Sequence, residues 1–368
     1  MSTPLQDLYD RIDALPLCPE ELALIEEAVR LADRMGDEAE GYRARRRLMD
    51  SAYALGQSEK MLVAFGWCRD YADRRPGALD ADEQQDLLWH QRWVVGAGRT
   101  FPQIPTPRIL ALHGDYARRM RELGLGGHNE AFVGLRYAMH TGDGAAARVH
   151  FETLTGTGRD DLSACEACEA ETEAEYHLFC GDDEAAVNQI QFVLDRRLTC
   201  AHIPTNTHAL ALAPLMRLGR WDEAAQHAAR SRQTVSGDPD HLWAQARHLE
   251  YLALTHPRAA LKWYAHHVAW AERTRETSFA LTFHAAAALL FTVLGRADPM
   301  KTSAIRLPPT VPGFREDGQY SAGERLNHHL GEAQRLADLF DARNGSPQQR
   351  QEVEQVLALA RLAPPVRA

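Results

Sequence analysis

The hydrophobic pattern along the chain is helical almost throughout. Apolar residues return at intervals of three and four at Leu22, Ile25, Val29 and Ala32, which places them on one face of a helix. Pro19 precedes this stripe, where the first turn of a helix tolerates a proline. Alternating apolar and polar runs bounded by turn residues, which indicate strands, are nearly absent. The pattern therefore predicts an all-α protein with helices of about 12 to 18 residues.

A turn motif recurs along the chain at nearly regular spacing. In its clearest copy, Leu218 to Ala225, an apolar helix end is followed by Gly219, polar residues and two alanines. Counted from the turn residues 56, 98, 142, 181, 219, 256 and 295, the spacing ranges from 37 to 44 residues. A period of this size predicts one helical hairpin per repeat.

The turn from Gly219 to Ala224 resembles the inter-helix turn of the tetratricopeptide repeat (TPR) family. The resemblance implies that Gly219 allows the chain reversal, that Trp221 seals the hairpin, and that Ala224 lets the two helices approach. It extends over about residues 41–296 and implies an α-solenoid, a TPR-like superhelix of antiparallel helical hairpins. Longer helical repeats and an unrelated helical bundle with glycine turns are the alternatives.

The same pattern divides the chain into four segments. Residues 1–40 are expected to form N-terminal capping helices, and residues 41–296 about seven hairpins. Residues 297–323 contain several prolines and glycines and are expected to form a loop, either a lid over the groove or a passive insertion. Residues 324–368 are expected to form C-terminal capping helices and a tail.

Composition and charge limit the partners. The chain is 45% hydrophobic and 25% charged, which suits a packed core, and its net charge of −10 argues against direct binding to nucleic acid. The N-terminus is acidic and lacks the basic and apolar regions of a secretory signal. The most apolar stretch, 279–294, is shorter than the roughly 20 residues of a spanning helix. We therefore expect a cytoplasmic protein that does not bind a membrane.

The cysteines and histidines of the middle region raise the question of a metal site. The pairs Cys165 with Cys168, His177 with Cys180 and Cys200 with His202 offer ligands that zinc accepts. On one helix, however, Cys168 and His177 would lie about 13 Å apart, too far for one ion. An approach of Cys168 to Cys200 across neighbouring hairpins stays open. We expect no metal and no cofactor.

Catalytic motifs are not found in the sequence. No Gly-x-Ser-x-Gly nucleophile elbow is present, and the glycines near residue 125 do not follow a predicted strand, as a phosphate-binding loop would require. We therefore expect a protein that is not an enzyme, with an enzyme built on an all-helical cavity as one alternative.

In the TPR family the first helix of each hairpin lines a concave groove, so the resemblance assigns groove positions by counting back from each turn. The peptide-binding groove is then expected to contain Arg43, Arg46, Asp50, Trp89, Arg92, Asn129, Phe132, Arg136, Glu171, Glu175, Asn206, Trp243 and Glu250. The N-terminal half of this set is rich in arginine and aromatic residues, and its middle is acidic. Arginine suits carboxylates and aromatic residues serve as anchors, although a plain solvent-facing mixture would look the same.

These observations favour a non-catalytic scaffold or adaptor that binds a protein or peptide in the groove. Self-association is compatible with them. The main alternative is a bacterial cytoplasmic peptide-sensing regulator of TPR type.

Overall fold

The computed structural model describes residues 4–125 and 127–363, and these residues are almost entirely helical. The prediction of an all-α protein is therefore confirmed. The predicted tail beyond residue 363 lies outside the described residues. Contacts divide the chain into two compact units. The first unit comprises Met1–Gly98, Pro107–Val133 and Arg159–Leu162, and the second comprises Arg99–Thr106, Gly134–Gly158 and Ser163–Ala368.

The first unit is built from a run of helices, of which the first five each pack on the next. In chain order they are α1 (Pro4–Asp13), α2 (Pro19–Met35), α3 (Glu38–Ala54), α4 (Ser58–Arg74), α5 (Ala81–Ala97), α6 (Thr106–Glu122) and the start of α7 (His128–Thr141). The predicted stripe of α2 is correct, because Leu22, Ile25 and Ala32 are buried and Val29 is half-buried. The first unit also contains Tyr42 and Met49 in its core.

The second unit contains the larger core and the two strands. Its helices after α7 are α8 (Gly144–Gly156), α9 (Glu166–Phe179), α10 (Asp183–Asp195), α11 (Thr205–Leu210), α12 (Leu212–Arg217), α13 (Trp221–Val235), α14 (Leu242–Thr255), α15 (Pro257–Ala271), α16 (Thr277–Leu294), α17 (Ala322–Asn344) and α18 (Gln348–Ala358). Short 3-10 turns lie at Pro239–His241 and Leu359–Leu362. Helix α16 packs against α14, α15, α17 and α18 and forms the centre of this unit.

Every turn residue counted in the sequence lies one or two residues after the end of a helix. Gly56, Gly142, Gly181 and Gly219 separate paired helices, and each has a positive φ between 63° and 77°. A side chain would strain this left-handed conformation, so glycine is the residue that allows each reversal. Gly98 is different: it is right-handed and is followed by a longer connection to α6.

The segment 297–323 is more ordered than the predicted loop. Strands β1 (Thr302–Ala304) and β2 (Gln319–Ser321) pair antiparallel, with Ser303 opposite Tyr320. Ile305, Leu307, Val311 and Tyr320 are buried in the core of the second unit. Three-residue strands are too short to show a period of two, which is why the sequence pattern missed them. The apolar residues of this segment therefore anchor it in the core.

One helix among the described residues, α16, is long and apolar enough to cross a membrane by length and composition. In the structure 67% of its apolar window is buried inside the protein. Its apolar character is therefore accounted for by its central position in the second unit.

Candidate binding surface

In the second unit, the first helices of three successive hairpins bring predicted groove residues together. Arg136 on α7 points its Nε at Oε2 of Glu175 on α9, 4.0 Å away. Thr207 on α11 donates its hydroxyl to Oε1 of Glu171 on α9 over 2.6 Å. Asn206 stands next to Thr207 and is half-buried. Arg136, Glu171, Glu175 and Asn206 therefore lie in one neighbourhood, although they come from three hairpins.

Glu171 is the most perturbed group of this neighbourhood. Burial, assisted by the negative charge of Glu175, raises its pKa to about 7. The Thr207 hydroxyl and Arg136 act in the opposite direction and keep the shift from being larger. The charge of this acidic patch therefore changes close to neutral pH.

Replacing Glu171 with glutamine is expected to stabilise the protein at alkaline pH. The folded-state pKa lies above the ordinary value of 4.5, so the protonated form favours folding and this contribution is lost as pH rises through about 7. The glutamine side chain keeps an acceptor for Thr207 and cannot ionise. Urea unfolding should show Glu171→Gln more stable than wild type by about 1 to 3 kcal/mol near pH 9, with the gain vanishing below about pH 4. Exposed Glu152→Gln is the control, and a gain that does not depend on pH would contradict the assignment.

Helix α14 carries an ion pair that the sequence analysis missed. Glu250 is fully buried, so it does not line an open groove as the sequence analysis expected. Its carboxylate oxygens accept hydrogen bonds from Arg247 Nη1 at 2.8 and 3.0 Å. The Arg247 guanidinium lies 5.4 Å from the ring of Trp243, which is half-buried. The spacing of three between Arg247 and Glu250 was the available signal, because such residues are neighbours on a helix. Arg247, rather than Glu250, is the accessible charge.

The C-terminal helix α18 lies against the first helices of the hairpins. It packs on α16, and the 3-10 turn that follows it contacts α12, α14 and α16. The amide of Gln349 on α18 donates to the backbone carbonyl of His140 on α7 over 3.1 Å. The guanidinium of Arg296 donates to the carbonyls of Ala360 and Ala363. The C-terminal segment therefore occupies part of the face that the sequence assigned to a ligand.

One face of the C-terminal segment supplies its anchors. Buried residues recur mostly at intervals of three and four, with one adjacent pair, namely Gln349, Val353, Val356, Leu359, Ala360 and Ala363. Gln351, Glu354 and Gln355 on the opposite face are exposed. Anchors at these intervals are the mode by which an amphipathic helix docks into an apolar groove.

Glu352 on the outer side of α18 retains accessible surface, yet burial raises its pKa. Gln348 and Arg247 lower the same pKa in part. Glu352 therefore places a carboxylate where the positive charge of Arg247 acts on it.

In the first unit, three predicted groove residues form surface ion pairs. Arg43 is exposed and pairs with Glu40 at 2.5 Å. Arg46 on α3 pairs with Asp86 on α5 at 2.9 Å. Asp50 on α3 contacts the Nε2 of His90 on α5 at 2.8 Å. The last two pairs show that α3 and α5, the first helices of successive hairpins, are neighbours.

The other predicted residues of the first unit do not face an open groove. Arg92 is buried, donates to the carbonyl of Leu162 over 3.1 Å, and lies 3.8 Å from the ring of the half-buried Trp89. Asn129 is fully buried and donates to Oδ1 of Asp160 over 2.7 Å. Phe132 is buried as well. Counting back from a turn gives a helical face, but it does not reveal that the segment around Asp160 packs on that face.

A second concave region lies at the start of α15. A pocket of about 680 Å³ is lined by His256, Arg258, Lys262 and Lys301, with Val293 and Leu294 among its apolar residues. Its cations and apolar floor suit a ligand that carries both an acidic group and an apolar part.

In comparisons with known proteins, no family model and no curated protein sequence matches this chain.

Proposed function

We propose that this chain is a non-catalytic, TPR-like α-solenoid that binds an amphipathic helix of a partner protein on the first-helix face of its second unit. The observation that carries the proposal is the docking of the chain's own segment 348–363 on that face, with anchors at Val353, Val356 and Leu359. A face that accepts one amphipathic helix has the shape and apolar character to accept another.

The hairpin turns support the TPR-like part of the proposal. An alanine stands five residues after three of the turn glycines, and Ala147, Ala186 and Ala224 are all completely buried. An alanine at such a position lets the two helices of a hairpin approach closely, and a larger side chain would overpack it. The recurrence of turn glycine and buried alanine is the relation that the TPR family uses.

The charges on the face indicate the chemistry of the partner helix. The positive charge of Arg247 favours the ionised carboxylate of Glu352, so a partner helix that replaces α18 should present an acidic residue at that point. The acidic patch of Glu171 and Glu175 favours a basic residue farther along the partner. The partner is therefore an amphipathic helix with both charge signs on its polar side.

The test separates the C-terminal segment from the rest of the chain. A chain ending at residue 346 is titrated with a fluorescein-labelled peptide of residues 348–363, followed by fluorescence anisotropy. We expect saturable binding, about tenfold or more weaker in the full-length chain, because the tethered segment competes at high local concentration. A protease site introduced at residues 345–347 of the full-length chain gives a second route, in which the cut segment should be displaced by added peptide.

Two peptide variants make the test specific. Aspartates at Val353 and Val356 should abolish binding because they charge the apolar anchors. Aspartates at Gln351 and Gln355 add the same charge to the exposed face and should leave binding nearly unchanged. Equal affinity of all three peptides, or no binding by the shortened and cut chains, would refute the proposed surface.

A further inference from the structure

Three cysteines that are distant in the sequence meet at one end of α9. Cys165 precedes the first residue of α9, Cys168 lies in its first turn, and Cys200 belongs to the connection between α10 and α11. Their sulfur atoms all lie within 4.8 Å of one another. The Sγ atoms of Cys168 and Cys200 are 3.6 Å apart, the approach that the sequence analysis had left open.

The distances suit a shared metal ion better than a covalent bond. A disulfide needs sulfur atoms about 2.05 Å apart, so Cys168 and Cys200 are thiols here. Zinc–sulfur bonds of about 2.3 Å arranged as a tetrahedron place neighbouring sulfurs about 3.8 Å apart. The observed 3.6 Å between Cys168 and Cys200 is close to that edge. One ion could therefore contact the three sulfurs with little movement of the chain.

Local contacts offset part of the burial that disfavours the thiolate form, which a metal requires. The backbone N–H of Cys168 donates to Sγ of Cys165 over 3.3 Å, and the backbone N–H of Ala201 points at the sulfur of Cys200. The positive end of the α9 dipole adds to this effect. Beneath the cluster, Ala167, Ala170, Val193 and Ile203 form a buried apolar support that holds the two connections in place.

We propose that Cys165, Cys168 and Cys200 bind a single Zn²⁺ ion through three thiolates, with the fourth position open to water or another external ligand. Three zinc–sulfur bonds form, and up to three protons leave the thiols as they do so. Cys200 is exposed, so the ion has a path from solvent. The sequence analysis expected no metal because Cys168 and His177 lie too far apart on one helix, although it left an approach of Cys168 to Cys200 open. The fold adds Cys165 to that pair.

Metal binding should relieve an electrostatic conflict among the thiols. The hydrogen bond to Cys165, followed by burial, raises the pKa of the Cys168 thiol, and burial raises that of Cys200. Without an ion the neighbouring sulfurs therefore resist ionising together. A divalent cation compensates the negative charges, so zinc affinity should rise with pH.

A cluster of three histidines among the described residues does not offer such a site. The ligand nitrogens of His284, His328 and His329 also lie within 4.8 Å of one another. The Arg325 guanidinium, however, donates to Nε2 of His329 over 3.0 Å, and Nδ1 of His329 faces Nδ1 of His284 at 2.9 Å. Both nitrogens of His329 are already engaged, and a permanent positive charge stands beside them.

The test is a metal titration of the reduced full-length chain. Isothermal titration with Zn²⁺ should give one ion per chain, with proton release measured in buffers of different ionisation enthalpy. Substitution by Co²⁺ should produce a sulfur-to-cobalt charge-transfer band and the visible bands of tetrahedral cobalt, and added Zn²⁺ should bleach them. Cys165→Ser, Cys168→Ser and Cys200→Ser should each weaken Zn²⁺ binding by at least about tenfold. Cys18→Ser and Cys180→Ser are the controls and should bind as wild type does.

Several outcomes would overturn the proposal. They are the absence of Zn²⁺ binding by the reduced chain, retention of binding in all three serine variants, and a cobalt spectrum without the charge-transfer band. If the reduced chain does not bind Zn²⁺ and the oxidised chain forms a disulfide between Cys168 and Cys200, the cluster has a redox role instead. Far-UV circular dichroism of each variant shows whether a loss of binding reflects unfolding, and the cobalt spectrum of the wild-type chain does not depend on any variant.

Discussion

Acidification from about pH 7 to about pH 4 is expected to unfold the second unit. This unit contains histidines that burial holds in the neutral form, and all of them must gain a proton in the unfolded chain. Burial lowers the pKa to about 3 in His140 and His248 and to about 4 in His208 and His284, and it lowers that of His329 well below 6.5. Their combined effect is the largest that we expect from solution conditions.

The direction follows from the two pKa values of each histidine. Because the folded-state pKa is lowered, the stabilisation is complete above the unfolded value of 6.5 and is lost as pH falls toward the folded value. A histidine whose pKa falls to about 4 contributes about 3 kcal/mol in this way. The four histidines with a pKa of about 3 or 4 together approach or exceed a typical folding free energy of about 5 to 15 kcal/mol. His329 acts in the same direction.

Two contributions modify this expectation. Burial raises the pKa of Glu171, Glu250 and Glu352, so these carboxyls bind protons more readily when folded and offset part of the loss. His267 adds to the loss, because burial lowers its pKa to about 4 although two backbone carbonyls favour its protonated form. The buried histidines outnumber the opposing carboxyls, so acid should destabilise the unit.

The measurement is helix content by circular dichroism between pH 8 and 3, with tryptophan fluorescence as a second probe. His248→Gln removes one buried titrating group and should move the acid midpoint to lower pH. His266→Gln alters an exposed histidine and should leave the midpoint in place. A transition confined to below about pH 3, or one that His248→Gln does not move, would show that the buried histidines are not responsible.

Loss of Arg247 is expected to be among the most damaging single substitutions. Arg247→Met removes the partner of Glu250, whose carboxylate is fully buried. An uncompensated buried charge costs about 3 to 5 kcal/mol, unless the carboxyl takes up a proton. Because burial already raises the pKa of Glu250, the loss should be larger near pH 9 than near pH 6. Urea unfolding at both pH values measures it.

Rescue and a matched surface pair complete the experiment. Adding Glu250→Gln to Arg247→Met removes the charge as well as its partner and should restore most of the stability at pH 9. Arg220, which directly precedes α13, and Glu223 in its first turn have the same spacing, but their pair is partly exposed. Arg220→Met should therefore cost no more than about 1 kcal/mol. Similar losses in the two arginine variants, or no rescue by Glu250→Gln, would contradict the buried-pair explanation.

The local architecture was readable from the sequence because it depends on neighbouring residues. A glycine such as Gly181 or Gly219 permits a left-handed turn through its own backbone, and the alanine five residues later is small enough for close helix contact. These short-range requirements repeat at almost even spacing, so the helices and their turns could be predicted along most of the chain. The position of Arg136 near Glu175 followed as well, since both belong to first helices of neighbouring hairpins.

What the sequence could not determine are contacts between segments that no periodicity relates. The burial of Asn129 depends on Asp160, and the identity of the accessible charge on α14 depends on how deeply Glu250 is packed. The docking of α18 on the first-helix face depends on how the chain folds back to bring Gln349 to the carbonyl of His140. The thiol cluster arises because the connection after α10 brings Cys200 to Cys168. By itself the sequence determined the helices and their turns, because each needs only residues a few positions apart. Only the tertiary structure decided which side chains are covered and which distant groups meet, because both depend on long-range packing.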